Sequence, residues 1–301
     1  MAQSTTSAYL RESVIRYLEI CENLGQREML LSQETVQALQ KFQPQADETN
    51  PVSSRVSASM QRQPSLAIRA DEQAQDARDV SSVSMESRKL DGLSKAAGLE
   101  VIRQEILSNR RLPELFRRAH NMVFGTGNTD ARIMFIGEAP GADEDRLGEP
   151  FVGAAGKLLD KMIAAMGLER KDVYICNVVK YRPDMPEGSR GNRKPTPEEL
   201  AQCRPYIMQQ IAVIRPEVIV GLGATALEGL LDQPRVSITR LRGSWQELNG
   251  IPLMPTFHPA YLLHNDSISE KRKVWEDLLQ VMEKTGMPIS EKQLRFFKNK
   301  G

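Results

Sequence analysis

A short apolar run that ends in a turn rich in Gly and Pro is the feature that most constrains this fold. The run is Ile133-Met-Phe-Ile136, the turn is Gly137-Glu-Ala-Pro-Gly141, and Asp143, Glu144 and Asp145 follow. An apolar run of this length, bounded by a turn, is typical of a strand buried on both faces. In open α/β folds, the turn after such a strand lies at the carboxyl edge of the sheet, where ligands bind. The turn is therefore a candidate site, and a solvated acidic loop that caps the next helix is the competing interpretation.

Strands and helices alternate beyond this turn. Strands are predicted at 131–136, 173–179 and 218–222, a hairpin at 245–254 around Asn249-Gly250, and a last strand that ends at 256–258. Helices are predicted at 97–107, 113–120, 155–166, 224–231 and 269–284, and another begins at Thr196-Pro-Glu-Glu199 with a capping box. Such alternation implies the α/β class, as a three-layer αβα domain with a central, mainly parallel sheet.

Composition divides the chain into four segments. Residues 1–42 carry apolar residues at helical spacing, which predicts a short helical N-terminal segment. Residues 43–93 are of low complexity, rich in Ser, Gln, Asp and Arg and poor in large apolar residues. This composition predicts a disordered linker, because little burial offsets the entropy lost on ordering. Residues 94–287 form the predicted α/β domain, and residues 288–301 form a C-terminal tail.

The charge and cysteine content leave most partners open. The chain has 301 residues, with 40 Lys and Arg against 39 Asp and Glu, so its formal net charge is only +1. A balanced chain can still be basic on one face, so nucleic acid is not excluded as a partner. The sequence contains no apolar run that spans a bilayer and no apolar signal-peptide core, so no membrane association is expected. Three scattered cysteines, Cys21, Cys176 and Cys203, indicate a reduced, cytoplasmic protein.

Polar side chains follow three of the predicted strands. Glu138 comes directly after the first strand, Asn177 lies near the end of the second, and His258 ends the last. Because the carboxyl ends of parallel strands meet at one edge of a sheet, we expect these side chains to lie close together. Each residue alone is a weak signal, since a lone Asn or His is more often structural. With Phe151 they form a set of an acid, an amide, an imidazole and an aromatic ring.

Four motifs of the chain resemble a known family. They are Gly137-Glu-Ala-Pro-Gly-Ala-Asp-Glu-Asp145, Gly148-Glu-Pro-Phe-Val-Gly153, Val173-Tyr-Ile-Cys-Asn-Val178 and His258-Pro-Ala-Tyr-Leu-Leu263. In order and spacing they are similar to the motifs of the family 4 uracil-DNA glycosylases, over roughly residues 110–282. The resemblance implies a uracil-DNA glycosylase-like fold and a DNA repair enzyme of base excision repair. Such an enzyme flips uracil out of DNA, hydrolyses the N-glycosidic bond and leaves an abasic site.

The resemblance also implies how uracil is bound. Asn177 matches the amide that reads the Watson–Crick edge of the flipped base, and Phe151 matches the ring that stacks on it. The backbone around Ala139 is expected to complete the contacts with uracil.

Three residues match catalytic positions of the family. His258 is expected to hydrogen-bond uracil O2 and to stabilise the anion that forms as the bond breaks. Glu138 is expected to position or activate the attacking water and to offset positive charge on the sugar. Glu144 is the competing candidate for the acid, and it is also a candidate for guarding the uracil C5 edge against thymine.

Basic residues around the loop at 181–195 are candidates for DNA binding, because Lys and Arg contact phosphates without reading sequence. They are Lys180, Arg182, Arg190, Arg193, Lys194 and, further along, Arg204. An ordinary solvated loop is the alternative. Leu262 and Leu263 match the family's wedge, which enters the duplex where the base has left, or else they form the first turn of a packed helix.

The chain departs from the family at its iron–sulfur cluster. The four cysteine positions of the family's [4Fe–4S] cluster fall here on Arg110, Pro113, Tyr181 and Cys203. One cysteine cannot hold a cluster, so we predict no cluster and no other metal or cofactor. The loss motivates a second hypothesis, a weak or inactive homologue that binds DNA and recruits a partner.

A third hypothesis is an unrelated nucleotide- or phosphate-binding enzyme. The sequence contains neither a P-loop Gly-Lys-Ser/Thr nor a G-x-G-x-x-G fingerprint after a strand, which disfavours this hypothesis. The expected partner is uracil-containing DNA, single- or double-stranded, with a protein partner at the N-terminal helices as a further candidate. The resemblance also implies that the protein acts as a monomer, as is usual in the family.

Overall fold

A computed structural model of the chain describes residues 92–189 and 191–298. The predicted helical segment at 1–42 lies outside the described residues, as does nearly all of the predicted linker at 43–93.

The centre of the fold is a six-stranded sheet. Its strands are β1 (Thr126–Gly127), β2 (Ile133–Gly137), β3 (Tyr174–Asn177), β4 (Val218–Leu222), β5 (Gln246–Leu248) and β6 (Ile251–Thr256), in the spatial order β1-β3-β2-β4-β6-β5. The four central strands pair in parallel, and β1 and β5 are antiparallel at the two edges. The parallel register places Gly137 beside Asn177 and Leu222 beside Thr256, so the four carboxyl ends lie at one edge.

Ten α-helices and one 3-10 turn of the described residues surround this sheet. They are α1 (Lys95–Ser108), α2 (Leu112–Leu115), α3 (Ala142–Leu147), α4 (Ala154–Ala165), the 3-10 turn Arg170–Asp172, α5 (Pro197–Ile214), α6 (Ala224–Leu231), α7 (Ile238–Leu241), α8 (Pro259–His264), α9 (Ile268–Lys284) and α10 (Glu291–Leu294). Helix α5 begins at the predicted capping box, where the Glu199 N–H donates to Thr196 Oγ1 at 3.2 Å. The Thr196 N–H donates to Glu199 Oε2 at 2.7 Å.

The strands alternate their side chains between two hydrophobic cores. Met134 and Ile136 of β2 face the core that includes α1 and α5. Ile133 and Phe135, on the opposite face, belong to the core that includes α4 and α9. All of these side chains are buried, which explains why the strands read as continuous apolar runs. The predicted three-layer αβα fold is confirmed.

The predicted helix at 113–120 is wrong beyond its first turn, because α2 ends at Leu115. The N–H groups of Arg117 and Arg118 donate to the carboxylate of Asp184, at 3.0 Å and 2.9 Å. These amides therefore tie the segment to the loop at 181–195 rather than continuing the helix.

The C-terminal residues pack on the domain rather than leaving it at 287. Trp275 Nε1 of α9 donates to the carbonyl of Gln293 at 2.7 Å, and Gln293 Nε2 donates to the carbonyl of Ala165 at 2.9 Å. The Phe296 ring lies 5.2 Å from the Trp275 ring. The packed domain thus extends past the predicted boundary.

The helices within the described ranges include none that is long and apolar enough to cross a membrane.

Candidate active site

A cavity of about 230 Å³ opens at the carboxyl edge of the sheet. It lies where β2, β3 and β6 end, so the strand-end residues of the sequence analysis meet there as expected. The lining residues are Glu138, Ala139, Pro140, Gly141, Glu144, Phe151, Ala155, Asn177, Asn192, Arg193, His258 and Ala260. The cavity is smaller than the roughly 300–1,000 Å³ typical of sites for drug-sized ligands. It suits a small ligand.

Gly137 sets how closely two walls of the cavity approach each other. A methyl group added to Gly137 would lie 2.5 Å from Phe151 Cζ and would overlap Asn177 Oδ1. The Asn177 amide, which is buried, and the Phe151 ring therefore share the space beside this glycine. The cavity thus has a hydrogen-bonding amide and an aromatic ring close together, and a flipped nucleobase requires groups of both kinds.

The Phe151 ring also stacks on the imidazole of His258. The ring centroids are 5.6 Å apart and the planes are inclined by 29°. Phe151 is buried. Its backbone φ of 54° is one that L-residues seldom adopt.

His258 is the N-cap of α8, and its hydrogen bond fixes its tautomer. Nδ1 accepts the N–H of Ala260 at 3.1 Å, so in the neutral ring Nε2 carries the proton. Burial lowers the pKa of His258 from 6.5 to about 4, although the charge of Glu144 acts in the opposite direction. At neutral pH the residue is therefore an uncharged imidazole that donates through Nε2.

Glu138 is half-buried, and residues of two other segments affect its pKa. Burial raises the pKa of Glu138 above 4.5, whereas a hydrogen bond from Thr225 and the charge of Lys194 lower it. A carboxylate with a raised pKa is a stronger base than a solvated one. Perturbed carboxyl groups of this kind are typical of acid–base catalysts.

Glu144 has a different role from Glu138, because its oxygens bind the backbone. Oε1 accepts the N–H groups of Val152 and Gly153, at 3.0 Å and 2.9 Å, and Oε2 accepts the N–H of Gly141 at 3.1 Å. The carboxylate thus joins the two loops that form the cavity wall. It lines the cavity, but three backbone N–H groups already bind to its two oxygens.

Thr225 and Asn192 are two site residues that the sequence analysis missed. Thr225 lies at the start of α6, directly after the end of β4, and it is buried beside Glu138. A polar residue that follows the carboxyl end of β4, as Glu138 follows β2, was the sequence signal that could have identified Thr225. Asn192 lines the cavity from the loop at 181–195, where no periodicity marks one residue from the next.

Lys180 is not a DNA contact, and that prediction is wrong. The side chain is fully buried, and Nζ donates to the carbonyls of Asn177 (2.6 Å) and Phe124 (3.3 Å) and to Gln210 Oε1 (2.5 Å). Burial lowers the pKa of this lysine. The lysine supports the end of β3 from inside the protein, where phosphate cannot reach it.

The other basic candidates differ in how exposed they are. Arg193 forms a two-fold ion pair with Glu199, at 2.7 Å and 2.8 Å, so it holds the start of α5. The half-buried Arg182 donates to the carbonyl of Gly191 at 2.7 Å, and Arg204 donates to the carbonyl of Gly229 at 3.1 Å. Lys194 is exposed, and Arg190 lies outside the described residues.

Leu262 and Leu263 lie in α8, so the helical alternative for this segment is correct. Leu262 is buried in the core with α4 and α9, whereas Leu263 is 46% exposed. Only Leu263 of this pair is therefore accessible to a duplex.

The positions that correspond to cluster ligands do not form a metal site. Tyr181 stacks on Phe116, with ring centroids 5.6 Å apart, and Arg110 and Pro113 are exposed. Cys203 is buried, and burial raises its pKa to about 11, so it is a thiol rather than a thiolate. In the part of the chain that the structure describes, no group of three or more His, Cys, Asp or Glu side chains is placed to hold a metal ion. These residues do not fit an iron–sulfur cluster, which needs several thiolates.

Comparisons with known proteins agree with this geometry. Residues 124–279 match the family model described as the uracil DNA glycosylase superfamily. The chain is 47% identical to the type-4 uracil-DNA glycosylase of Thermotoga maritima over 183 residues, which are 60% of this chain and 91% of that protein. It is 44% identical to the Archaeoglobus fulgidus protein of the same name over 180 residues, 58% of this chain and 87% of that protein. A third such protein, from Sulfurisphaera tokodaii, is 42% identical over 187 residues, 60% of this chain and 80% of that protein.

Proposed function

Because the chain belongs to the uracil DNA glycosylase superfamily, we propose that it excises uracil from DNA by hydrolysing the N-glycosidic bond. The products are free uracil and an abasic site. The observation that carries this proposal is the meeting of Glu138, Asn177 and His258 in one small cavity, with Phe151 as an aromatic wall. An amide, an aromatic ring, a neutral imidazole and a basic carboxylate are the groups that the reaction requires.

Asn177 is the proposed specificity residue. Its carboxamide oxygen would accept N3–H of uracil, and its amino group would donate to O4. Cytosine presents the opposite donor and acceptor at both positions, and each mismatched buried group costs about 1–3 kcal/mol. Phe151 would stack on the base, a contact worth roughly 1–3 kcal/mol.

His258 is the proposed stabiliser of the leaving group. As the glycosidic bond breaks, negative charge collects on uracil and positive charge on the sugar. A neutral imidazole that donates through Nε2 would hydrogen-bond O2 of the departing base. Such a donor stabilises the developing anion in the same way as an oxyanion hole.

Glu138 is the proposed base for the attacking water, in preference to Glu144. Glu138 has a raised pKa and its carboxylate accepts a hydrogen bond from the Thr225 side chain, whereas the carboxylate of Glu144 accepts three backbone N–H groups. We assign Glu144 to fixing the loops of the cavity wall, which keeps the C5 edge of the base close to a rigid surface.

Exposed residues beside the cavity are the proposed DNA contacts. Lys194 is exposed and close enough to Glu138 for its charge to lower the pKa of that residue. Leu263 is exposed on α8, which His258 caps. Lys194 suits a phosphate next to the flipped nucleotide, and Leu263 suits the gap that the base leaves.

We also propose that the protein works without an iron–sulfur cluster. The supporting observation is the donor set, a single neutral thiol at Cys203 with Tyr181 packed on Phe116. Iron and acid-labile sulfide are expected to be absent from protein purified without oxygen. A stoichiometric cluster in that preparation would contradict the proposal.

Single-turnover excision from a uracil-containing oligonucleotide tests the proposed function. Alkali should cleave the strand at the uracil position after incubation with the protein, and a thymine-containing strand should stay intact. Asn177→Ala should lose activity by about 10-fold or more, since a pair of matched hydrogen bonds is lost. No product from folded, DNA-binding protein would favour the alternative of an inactive homologue that binds DNA.

The pH profile of kcat/KM should be flat at neutral pH and fall only in acid. Glu138 loses its basic form when protonated, and burial raises its pKa above 4.5. His258, with a pKa of about 4, keeps the proton on Nε2 in both of its protonation states. As the pH falls, Glu138 is therefore protonated before His258, and the activity should fall as the Glu138 carboxylate is lost. An acid limb that is unchanged in a Glu138→Gln variant with residual activity would show instead that Glu138 is not the titrating group.

A further inference from the structure

The turn that carries Phe151 has a backbone that requires support. Phe151 has a φ of 54°, in the left-handed region that favours glycine. Gly156, near the start of α4, lies against the Phe151 carbonyl, and any side chain at position 156 would overlap that carbonyl. The left-handed turn aims the ring at Gly137 and His258. A relaxed turn would aim it elsewhere.

Arg170 supports this turn from outside the cavity. Nη1 donates to the carbonyl of Phe151 at 3.2 Å, and Nη2 donates to the carbonyl of Pro150. Arg170 belongs to the 3-10 turn after α4, and its guanidinium is anchored by an ion pair with Asp160 at 3.0 Å. The planar fork of arginine suits two neighbouring carbonyls, which a lysine cannot bond in the same geometry.

The two sides of the turn are held by different residues. Arg170 binds the carbonyls of residues 150 and 151, and Glu144 binds the N–H groups of residues 152 and 153. Glu144 also lines the cavity, so its replacement would alter the site directly. Arg170 is not among the lining residues, so its effect on a bound base must pass through Phe151.

We propose that Arg170 is a positioning residue, which fixes the backbone of Phe151 and so holds the ring under the flipped base. The inference rests on the proposed function. It adds a positioning residue that lies 19 positions from Phe151 in the sequence and outside the motifs.

A double-mutant cycle with Phe151 tests this proposal. Phe151→Ala should lower kcat/KM for uracil excision by about 5- to 100-fold through the loss of stacking. Arg170→Met should lower it by at least about fivefold, and Arg170→Lys should restore little, because one ammonium cannot bridge both carbonyls. In the Phe151→Ala background, Arg170→Met should have less than about a twofold further effect, since residues that act through each other are not additive.

Arg132 offers a matched control. Like Arg170, it forms an ion pair, with Glu217 at 2.6 Å, and donates a hydrogen bond to a carbonyl, that of Thr285 at 2.5 Å. Unlike Arg170, it lies beside the amino-terminal end of β2, at the opposite edge of the sheet from the cavity. Arg132→Met should lower the melting temperature without changing excision. Effects of Arg170→Met that add fully to those of Phe151→Ala would overturn the positioning role. Equal losses in the two arginine variants would overturn it too. A wild-type protein without excision activity would instead overturn the proposed function and this inference with it.

Discussion

Replacing His258 with alanine should lower kcat/KM for uracil excision by about 10²- to 10³-fold, the range seen when an oxyanion-hole donor is removed. The proton on Nε2 is the only part of the ring that can donate to a base, because Nδ1 accepts the N–H of Ala260. The loss should fall mainly on kcat, since the donor matters most when uracil carries negative charge. Single-turnover rates at saturating protein measure this step directly.

Two further variants separate chemistry from stability. His258 also caps α8, so His258→Ala removes the cap as well as the donor. Asparagine is a good N-cap residue, so His258→Asn should restore thermal stability but not activity. His264, exposed at the end of α8, gives the matched control, and His264→Ala should leave excision unchanged. Comparable rates in His258→Ala and wild-type protein would remove His258 from the mechanism.

Replacing Lys180 with methionine should lower the free energy of unfolding by about 2–6 kcal/mol, because two buried acceptors lose their donor at about 1–3 kcal/mol each. The change leaves the carbonyl of Asn177 and Oε1 of Gln210 without the Nζ donor that they share, whereas the Phe124 carbonyl keeps a hydrogen bond from Gln210 Nε2 at 3.1 Å. Unpaired acceptors in a dry interior are costly because water cannot replace the lost donor. Urea denaturation monitored by circular dichroism measures the effect.

Excision should fall in the same variant, because Asn177 loses the bond that anchors its carbonyl. Lys157 of α4 is exposed and serves as the control, and Lys157→Met should change neither stability nor excision. If Lys180→Met is as stable as the wild type but binds DNA more weakly, the side chain reaches phosphate after all. That outcome would reinstate the sequence-based assignment that the buried position contradicts.

The sequence predicted the central layer of this fold well because each strand is buried on both faces. Periodicity and turn residues suffice for such strands, and the bounds of β4 and α6 match the prediction. The meeting of Glu138, Asn177 and His258 also followed from topology alone, since parallel strand ends share an edge. Local pattern and global topology agree in these elements.

Side-chain environment was less accessible to sequence reasoning. Lys180 was grouped with a basic loop, but the chain after β3 stays inside the protein for three more residues. Glu138 and Glu144 were hard to distinguish, because only the folded turn shows which carboxylate binds backbone amides. Arg170 carries no motif, and its contact with Phe151 depends on how the segment after α4 folds back.

The close approach at Gly137 limits how this pocket can evolve. Oδ1 of Asn177 and the ring of Phe151 both occupy the space of a side chain at that position, so even alanine would push the two walls apart. A change of base preference therefore cannot begin with a substitution at 137, because any side chain there would displace Asn177 and Phe151. A substitution at Asn177 would have to fit its new hydrogen-bonding pattern into the same fixed space.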